Sequence, residues 1–120
     1  MTASEKTITA RFFALPGGRE PVREWLRALP VEDRKTIGSD IMEVEFEWPV
    51  SPPLVKSIKG RAGMKEVRSN VSDGRIARVF FYVNGADMIL LHGFIKKTQT
   101  TPNKDLDLAE KRKKEHEHHG

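Results

Sequence analysis

The sequence contains no cysteine. Disulfide bonds, thiolate metal sites and cysteine nucleophiles are therefore excluded. It also contains no apolar run near the roughly 20 residues that a membrane-spanning helix needs. The first ten residues, MTASEKTITA, lack the apolar segment of a secretory signal. These absences predict a cytoplasmic protein that does not engage a membrane.

Common catalytic motifs are missing as well. The chain has no GxSxG, HExxH, Walker or GxGxxG pattern, which argues against serine hydrolases, zincins and the usual nucleotide-binding folds. Three carboxylates, Glu43, Glu45 and Glu47, lie close together on a predicted helix, and we expect that face to be solvated. The residues that remain as candidates for chemistry are mostly cations.

Charge is distributed unevenly along the 120 residues, which predict one domain over residues 1–120 with flexible ends near 1–6 and 115–120. Residues 1–53 contain 7 Lys and Arg against 9 Asp and Glu, whereas residues 54–120 contain 14 against 8. The basic part of the chain is therefore its C-terminal part. Such an excess suits a polyanionic partner, and it equally suits an ordinary solvated basic surface.

An antiparallel meander is the clearest structural signal. Asn84-Gly85 separates two of its apolar runs, and Asn-Gly is a strong hairpin signal because a type I′ turn needs positive φ at both central residues. Ser72-Asp73-Gly74 separates the other pair. The β-branched and aromatic residues that favour strands are concentrated in this part of the chain. The predicted strands cover residues 64–69, 75–83 and 87–95.

Helical patterns flank this meander. Pro21 suits the first turn of a helix, where a missing N–H costs least, and Pro30 ends that helix. We therefore predict an α+β domain with its helices on one face of a small antiparallel sheet. The further predicted elements are a strand at 7–15, helices at 20–30, 32–48 and 103–116, a proline-rich linker at 49–53 and a short strand or turn at 54–58.

The cations point to phosphate chemistry. A cationic set with neither cysteine nor a metal cage can bind a phosphodiester, orient it, and stabilise the extra negative charge of a pentacovalent transition state. RNA carries its own nucleophile, the 2′-hydroxyl, so this chemistry requires no nucleophilic side chain.

Three runs carry a resemblance to a known family: EVRSNVSDGRIARVFFYV, ILLHGFIKKTQTTP and DLDLAEKRKK. Together they resemble the HigB-like branch of the RelE/ParE toxin superfamily, including its phage-derived members, over residues 11–114. The most specific part is HGFIKKTQxTP following the GRIARV strand. The resemblance implies the RelE-like fold, whose element order matches the one predicted above.

The resemblance also implies a function. It implies the toxin of a type II toxin–antitoxin system that cuts mRNA, usually on the ribosome, without a metal or other cofactor. The implied partners are mRNA, the ribosome and a helix-turn-helix antitoxin through which operator DNA is bound. A similar fold serves ParE-like inhibitors of DNA gyrase, so that function and an inactive phage-derived module remain open as alternatives.

The same resemblance implies the site. Arg68 and Arg78 take the positions that contact the scissile phosphate, and Lys97, with Lys96 beside it, takes the basic position after the last strand. We expect both arginines to be partly exposed, so that their replacement leaves the fold intact. The cations that we expect to contact the RNA backbone are Lys56, Lys59, Arg61, Arg75, Lys111, Arg112, Lys113 and Lys114.

Histidine and tyrosine allow two interpretations. His92 and Tyr82 are the possible acid, base or base-contacting residues, but both lie inside apolar runs, where packed side chains are common. His116, His118 and His119 suggest a metal cluster by composition alone, and we expect them to belong to a frayed terminal segment instead.

Overall fold

The computed structural model describes residues 5–96 and 102–119. It confirms the α+β class, and the second helix begins and ends within a residue of its predicted bounds. The last helix continues three residues beyond its predicted end at His116. Lys97 and the outermost residues of the two predicted flexible ends lie outside the described residues.

In chain order the elements are β1 (Thr9–Phe12), α1 (Pro21–Arg27), α2 (Val31–Glu47), β2 (Val55–Ser57), β3 (Lys65–Asn70), β4 (Ile76–Asn84), β5 (Asp87–Lys96) and α3 (Asn103–His119).

The five strands form one sheet in the order β1-β5-β4-β3-β2. The four strands from β2 to β5 are antiparallel, as the meander predicted. β1, however, runs parallel to β5, with Thr9 opposite Asp87 and Phe12 opposite Leu90. The sheet is therefore mixed and not purely antiparallel. This pairing joins residues almost 80 positions apart, beyond the reach of local pattern analysis.

The two predicted turns differ in detail from their sequence signals. Asn84 closes β4, and Gly85 and Ala86 form the loop, with positive φ at Gly85 alone. This is the pattern of a type II′ turn, in which glycine occupies the first central position, and not of the predicted type I′ turn. Positive φ at two successive residues occurs instead at Asp73 and Gly74, between β3 and β4.

The sheet is covered on both faces. Val79 and Phe81 of β4 pack with α1 and α2 in one buried cluster, whereas Phe80 and Tyr82 pack with Ala109 of α3 in another. Successive residues of a strand point to opposite faces, so α3 lies on the face opposite α1 and α2. The prediction that all helices share one face is wrong. Because β4 is apolar on both sides, each side requires cover.

One carboxylate of the predicted solvated face is in fact buried. Glu45 is 6% exposed, and its Oε2 accepts a hydrogen bond from the amide of Ala10 at 2.7 Å and from Lys6 Nζ at 3.1 Å. The amides of Thr7 and Ile8 donate to its backbone carbonyl. Glu45 therefore faces β1 because it supplies the acceptors that attach this strand to α2.

A second buried carboxylate fastens the β3–β4 turn to α2. Asp33 is 2% exposed and accepts hydrogen bonds from the Ser72 amide at 3.0 Å, the Ser72 hydroxyl at 2.9 Å and Arg75 Nη2 at 3.1 Å. The Ser72 amide lowers the pKa of Asp33 most. The Ser72 hydroxyl and the charge of Arg75 lower this pKa further, while burial opposes them.

This lowered pKa gives a pH-dependent contribution to stability. Because the folded-state pKa of Asp33 lies below its ordinary value of 3.8, the stabilisation is present above that value and is lost as the pH falls through the folded-state pKa. We expect Asp33→Asn to destabilise the fold at neutral pH and to reduce the loss of stability on acidification. Urea unfolding at a series of pH values measures both effects. Asp87→Asn, which breaks an exposed ion pair with Arg11, should behave like the unmodified chain, and equal acid sensitivity in all three proteins would contradict the assignment.

Candidate functional site

The register of β3, β4 and β5 defines a row of residues on the α3 face of the sheet. Arg68 lies directly opposite Arg78, and Arg78 lies opposite Phe94. In the next row Phe80 lies between Glu66 on β3 and His92 on β5. Residues directly opposite each other share a face of the sheet, so two cations, a carboxylate and an imidazole occupy two adjacent rows.

Arg78 is buried and paired, contrary to the expectation that it is partly exposed. It is 3% exposed, and its Nη1 donates to Oε2 of Glu66, itself 5% exposed, at 3.0 Å. Glu66 is diagonal to Arg78 across the β3–β4 ladder, which places the carboxylate within reach. Burying a charge without a partner is costly, so this pair is part of the interior of the fold as well as of the candidate site.

Arg68 is the more accessible of the two arginines. Its side chain is half-buried, and its Nε has no hydrogen-bond partner among the described residues. It borders a shallow pocket of about 280 Å³ that Asp40, Leu54, Asn70 and Ile76 also line. The Nε atom itself is buried, so any contact of this guanidinium with a phosphate oxygen would be made by its terminal nitrogens.

The predicted lysines at the end of β5 are only partly placed. The backbone of Lys96 ends β5 opposite Ile76, two residue pairs beyond the Arg78–Phe94 pair. Lys97 lies outside the described residues, so the predicted meeting of three cations over one phosphate stays a prediction.

His92 has a partner that sequence reasoning missed. Its Nε2 lies 2.7 Å from Oδ1 of Asp105 in the first turn of α3, and its ring stacks on Phe94 with centroids 5.5 Å apart. The side chain is packed in the strand, as one interpretation held, yet it is 16% exposed and has a carboxylate on one nitrogen. Asp105 had no local signal, whereas Glu66 could have been found from its spacing of two residues from Arg68.

Tyr82 lies farther along β4 and belongs to the α3 contact. It is 5% exposed, and its hydroxyl is 2.5 Å from Nδ1 of His116, while Lys113 Nζ lies 5.2 Å from its ring centroid. Burial raises the pKa of Tyr82, and Glu117 raises it further. Tyr82 is four positions along β4 from Arg78, a distance of about 13 Å. Tyr82 is therefore not grouped with the arginines. The same hydrogen bond fastens the end of α3 at His116.

Half of the cations predicted for RNA-backbone contact are engaged within the protein. Arg112 donates to the Leu91 carbonyl at 2.9 Å, and burial lowers the pKa of Arg112. The hydrogen bonds that Arg61 donates to Asp107 and Glu110 raise the pKa of Arg61. The internal pairs are Arg61 with Asp107 at 2.8 Å and with Glu110, Arg75 with Asp33, and Lys113 with Glu117 at 3.0 Å.

The other half are open to solvent. Lys56 is on the edge strand β2, opposite Glu66, and Lys59 is in the loop that follows β2. Lys111 and Lys114 are on the outer face of α3. All four are exposed and make no ion pair within residues 5–96 and 102–119. They are the members of the predicted set that are available to a polyanion.

The described residues contain neither a metal-binding cluster nor a membrane-spanning helix. No group of three or more His, Asp or Glu side chains there is arranged to hold a metal ion. No helix there is both long and apolar enough to cross a membrane.

The family model described as "Phage derived protein Gp49-like (DUF891)" matches residues 24–114, a segment that includes the arginine row, His92 and most of α3. No curated protein matches the chain.

The buried pair of Arg78 with Glu66 predicts that Arg78 contributes more to the stability of the fold than Arg68 does. Arg78→Ala leaves Glu66 buried without a countercharge, and breaking such a pair costs about 3–5 kcal/mol in the free energy of unfolding. Arg68→Ala should cost less than about 1 kcal/mol because no buried carboxylate among the described residues pairs with Arg68. Urea unfolding of both variants measures the difference. The double variant Arg78→Met with Glu66→Leu should recover most of the loss, and equal stability of Arg68→Ala and Arg78→Ala would rule out a structural role for the pair.

Proposed function

Since the chain belongs to the phage-derived Gp49-like family, a family of RelE/ParE-like toxins, we propose that it is the toxin of a type II toxin–antitoxin system and that it cleaves mRNA. Membership of this family supports the role of a toxin and the existence of an antitoxin partner. The observation that favours RNA cleavage is the placement of Arg68, Arg78 and His92 on one face of the sheet, in two adjacent rows. A toxin that only blocks a protein target does not need such a group.

The chemistry of RNA fits these residues. The 2′-hydroxyl attacks the adjacent phosphorus, the bond to the 5′-oxygen breaks, and the products are a 2′,3′-cyclic phosphate and a 5′-hydroxyl end. Negative charge increases on the non-bridging oxygens in the transition state, so a preorganised cation next to them lowers the barrier. Arg68, half-buried and bordering open space, is the cation that we assign to these oxygens.

Arg78 and Glu66 have a different role in this proposal. Their buried pair forms the floor on which the phosphate lies, and it holds the β3 and β4 backbones at the spacing that Arg68 needs. We therefore treat Arg78 as a positioning residue, and no longer as an equal partner of Arg68 in phosphate binding.

His92 is the residue that we assign to proton transfer. Asp105 occupies its Nε2, so Nδ1 is the nitrogen that can exchange a proton with the substrate, and the carboxylate stabilises the imidazolium that forms when it accepts the 2′-hydroxyl proton. Lys96 or Lys97 then supplies positive charge or a proton to the departing 5′-oxygen. No metal takes part in this scheme.

Expression without the antitoxin tests the biological function. We expect the intact chain to stop growth and to leave cuts within translated messages, since the ribosome presents the mRNA. Growth arrest with intact messages and reduced DNA supercoiling would instead identify a gyrase inhibitor. Absence of any arrest would favour an inactive phage-derived module. Mapping of RNA ends and plasmid topology from the same cultures distinguishes these outcomes.

Single-turnover cleavage of mRNA on programmed ribosomes tests the assigned residues. Arg68→Ala should lower the cleavage rate by about 10²–10³, the usual effect of removing one preorganised charge-stabilising group, with little change in stability. His92→Gln should lower it by about 10²–10⁴. Arg11→Ala is the matched control, because Arg11 is on the far edge strand and pairs with Asp87. Full activity of Arg68→Ala, or loss of activity in EDTA under conditions that keep ribosomes intact, would reject this mechanism.

A further inference from the structure

A notch opens at the edge of β5, where β1 ends. β1 pairs with β5 only as far as Phe12 opposite Leu90, and beyond this point no described strand lies against that edge of β5. Helices α1 and α3 approach the edge from opposite faces of the sheet and leave a space of about 220 Å³ between them. The space is lined by Pro21, Val22, Trp25, His92, Gly93 and Arg112.

Trp25 lies against bare backbone in this notch. A Cβ built at Gly93 would lie 2.4 Å from Cζ3 of Trp25 and 2.5 Å from its Cε3, so no other residue at position 93 fits with the indole in this place. The lack of a side chain at Gly93 therefore allows the indole to lie directly against the backbone of β5. It is only half-buried, which leaves part of its apolar surface to the notch.

Arg112 supplies the opposite side of the notch. Its Nη1 donates to the Leu91 carbonyl at 2.9 Å, and its guanidinium lies 5.9 Å from the ring centroid of Phe13. These two contacts fix the guanidinium, yet its Nε has no hydrogen-bond partner among the described residues. A guanidinium fixed in this way is a planar cation on which a flat ring can stack.

The lining chemistry limits the ligand. The described residues around the notch include an indole, an imidazole and a guanidinium but no carboxylate, which disfavours a basic ligand. The volume lies below the roughly 300–1,000 Å³ of pockets for drug-sized molecules, so it suits one flat ring system. Single-stranded RNA is recognised by stacking its splayed bases on aromatic rings and arginine planes.

We propose that this notch binds one unstacked RNA base next to the cleavage site. The inference rests on the proposed function, because it needs RNA as the substrate. His92 connects the two regions, since it lines the notch and shares a face with Arg78. Arg68 is two strands from β5, about 10 Å away, so the base and the phosphate belong to neighbouring nucleotides. The base in the notch then influences which phosphate is cut.

Tryptophan fluorescence gives a direct test. The chain has two tryptophans, and Trp48 packs edge-on against Phe81 in the core, so Trp48→Phe leaves Trp25 as the only indole reporter. The probe is a short single-stranded RNA with 2′-O-methyl groups throughout, which cannot be cut. Matched probes are an abasic oligonucleotide of the same length and charge, and inorganic phosphate.

We expect the base-bearing RNA to quench Trp25 fluorescence with saturation, and the abasic oligonucleotide and phosphate not to do so. Replacing Trp25 by Leu in the otherwise unmodified chain should weaken binding of the labelled RNA by about 5- to 150-fold, the usual range for the loss of one base–aromatic stack, and Trp25→Phe should keep most of the affinity. Equal quenching by the abasic oligonucleotide, or no quenching by any probe, would overturn the proposal even if Trp25→Leu fails to fold.

The same experiments test the notch and the nuclease activity independently. Message cleavage by the Trp48→Phe chain without base-dependent quenching would reject the notch and keep the nuclease. Base-dependent quenching by a chain that cuts no message would keep the notch as an RNA-base site and reject the nuclease.

Discussion

The β4–β5 hairpin is apolar on both faces, and this constraint determines how the remaining elements are arranged. Phe80 and Phe81 are adjacent in sequence, both fully buried, and point to opposite sides of the sheet. One side is covered by α1 and α2, and the other by α3. The ladder is interrupted where Phe80 pairs with His92 and Phe81 pairs with Leu90, which leaves Leu91 as an extra residue in β5. Such bulges re-aim neighbouring side chains, and the bulge here is next to His92 and to the carbonyl that Arg112 binds.

Buried carboxylates add specific hydrogen bonds between these elements, which apolar packing alone does not provide. Asp33 fixes the β3–β4 turn to α2, Glu45 fixes β1 to α2, and Glu66 neutralises Arg78 within the sheet. Each satisfies donors that would otherwise be buried without acceptors. Glu66 shares the face of the arginine row, whereas Asp33 and Glu45 are on α2, which covers the opposite face of the sheet. Arg78 is held in its buried pair with Glu66, whereas Arg68 makes no such pair among the described residues.

Local patterns were sufficient for most elements and insufficient for the partners of the functional residues. The meander, the start of α1 at Pro21 and the apolar stripe of α2 follow from periodicity and turn residues within about ten positions. The parallel β1–β5 pairing and the contacts of Asp105 with His92 and of Glu66 with Arg78 depend on which strands and helices become neighbours, and no local pattern contains that information. The side on which α3 packs was partly readable, because a strand such as RIARVFFYV has no polar face to expose. Proline and glycine were reliable markers of boundaries but gave the wrong type for the turn at Gly85.

Gly93 and Trp25 share a single volume, since the indole occupies the space in which any side chain at position 93 would lie. The two positions therefore cannot vary independently during evolution. A relative with a larger residue at the position of Gly93 must either move its indole away from β5 or have a smaller residue at the position of Trp25, and in both cases the flat aromatic wall changes in the same step. Diversity among related toxins at this edge of the sheet should then take the form of paired replacements, each pair giving a differently shaped recess beside the same arginine row.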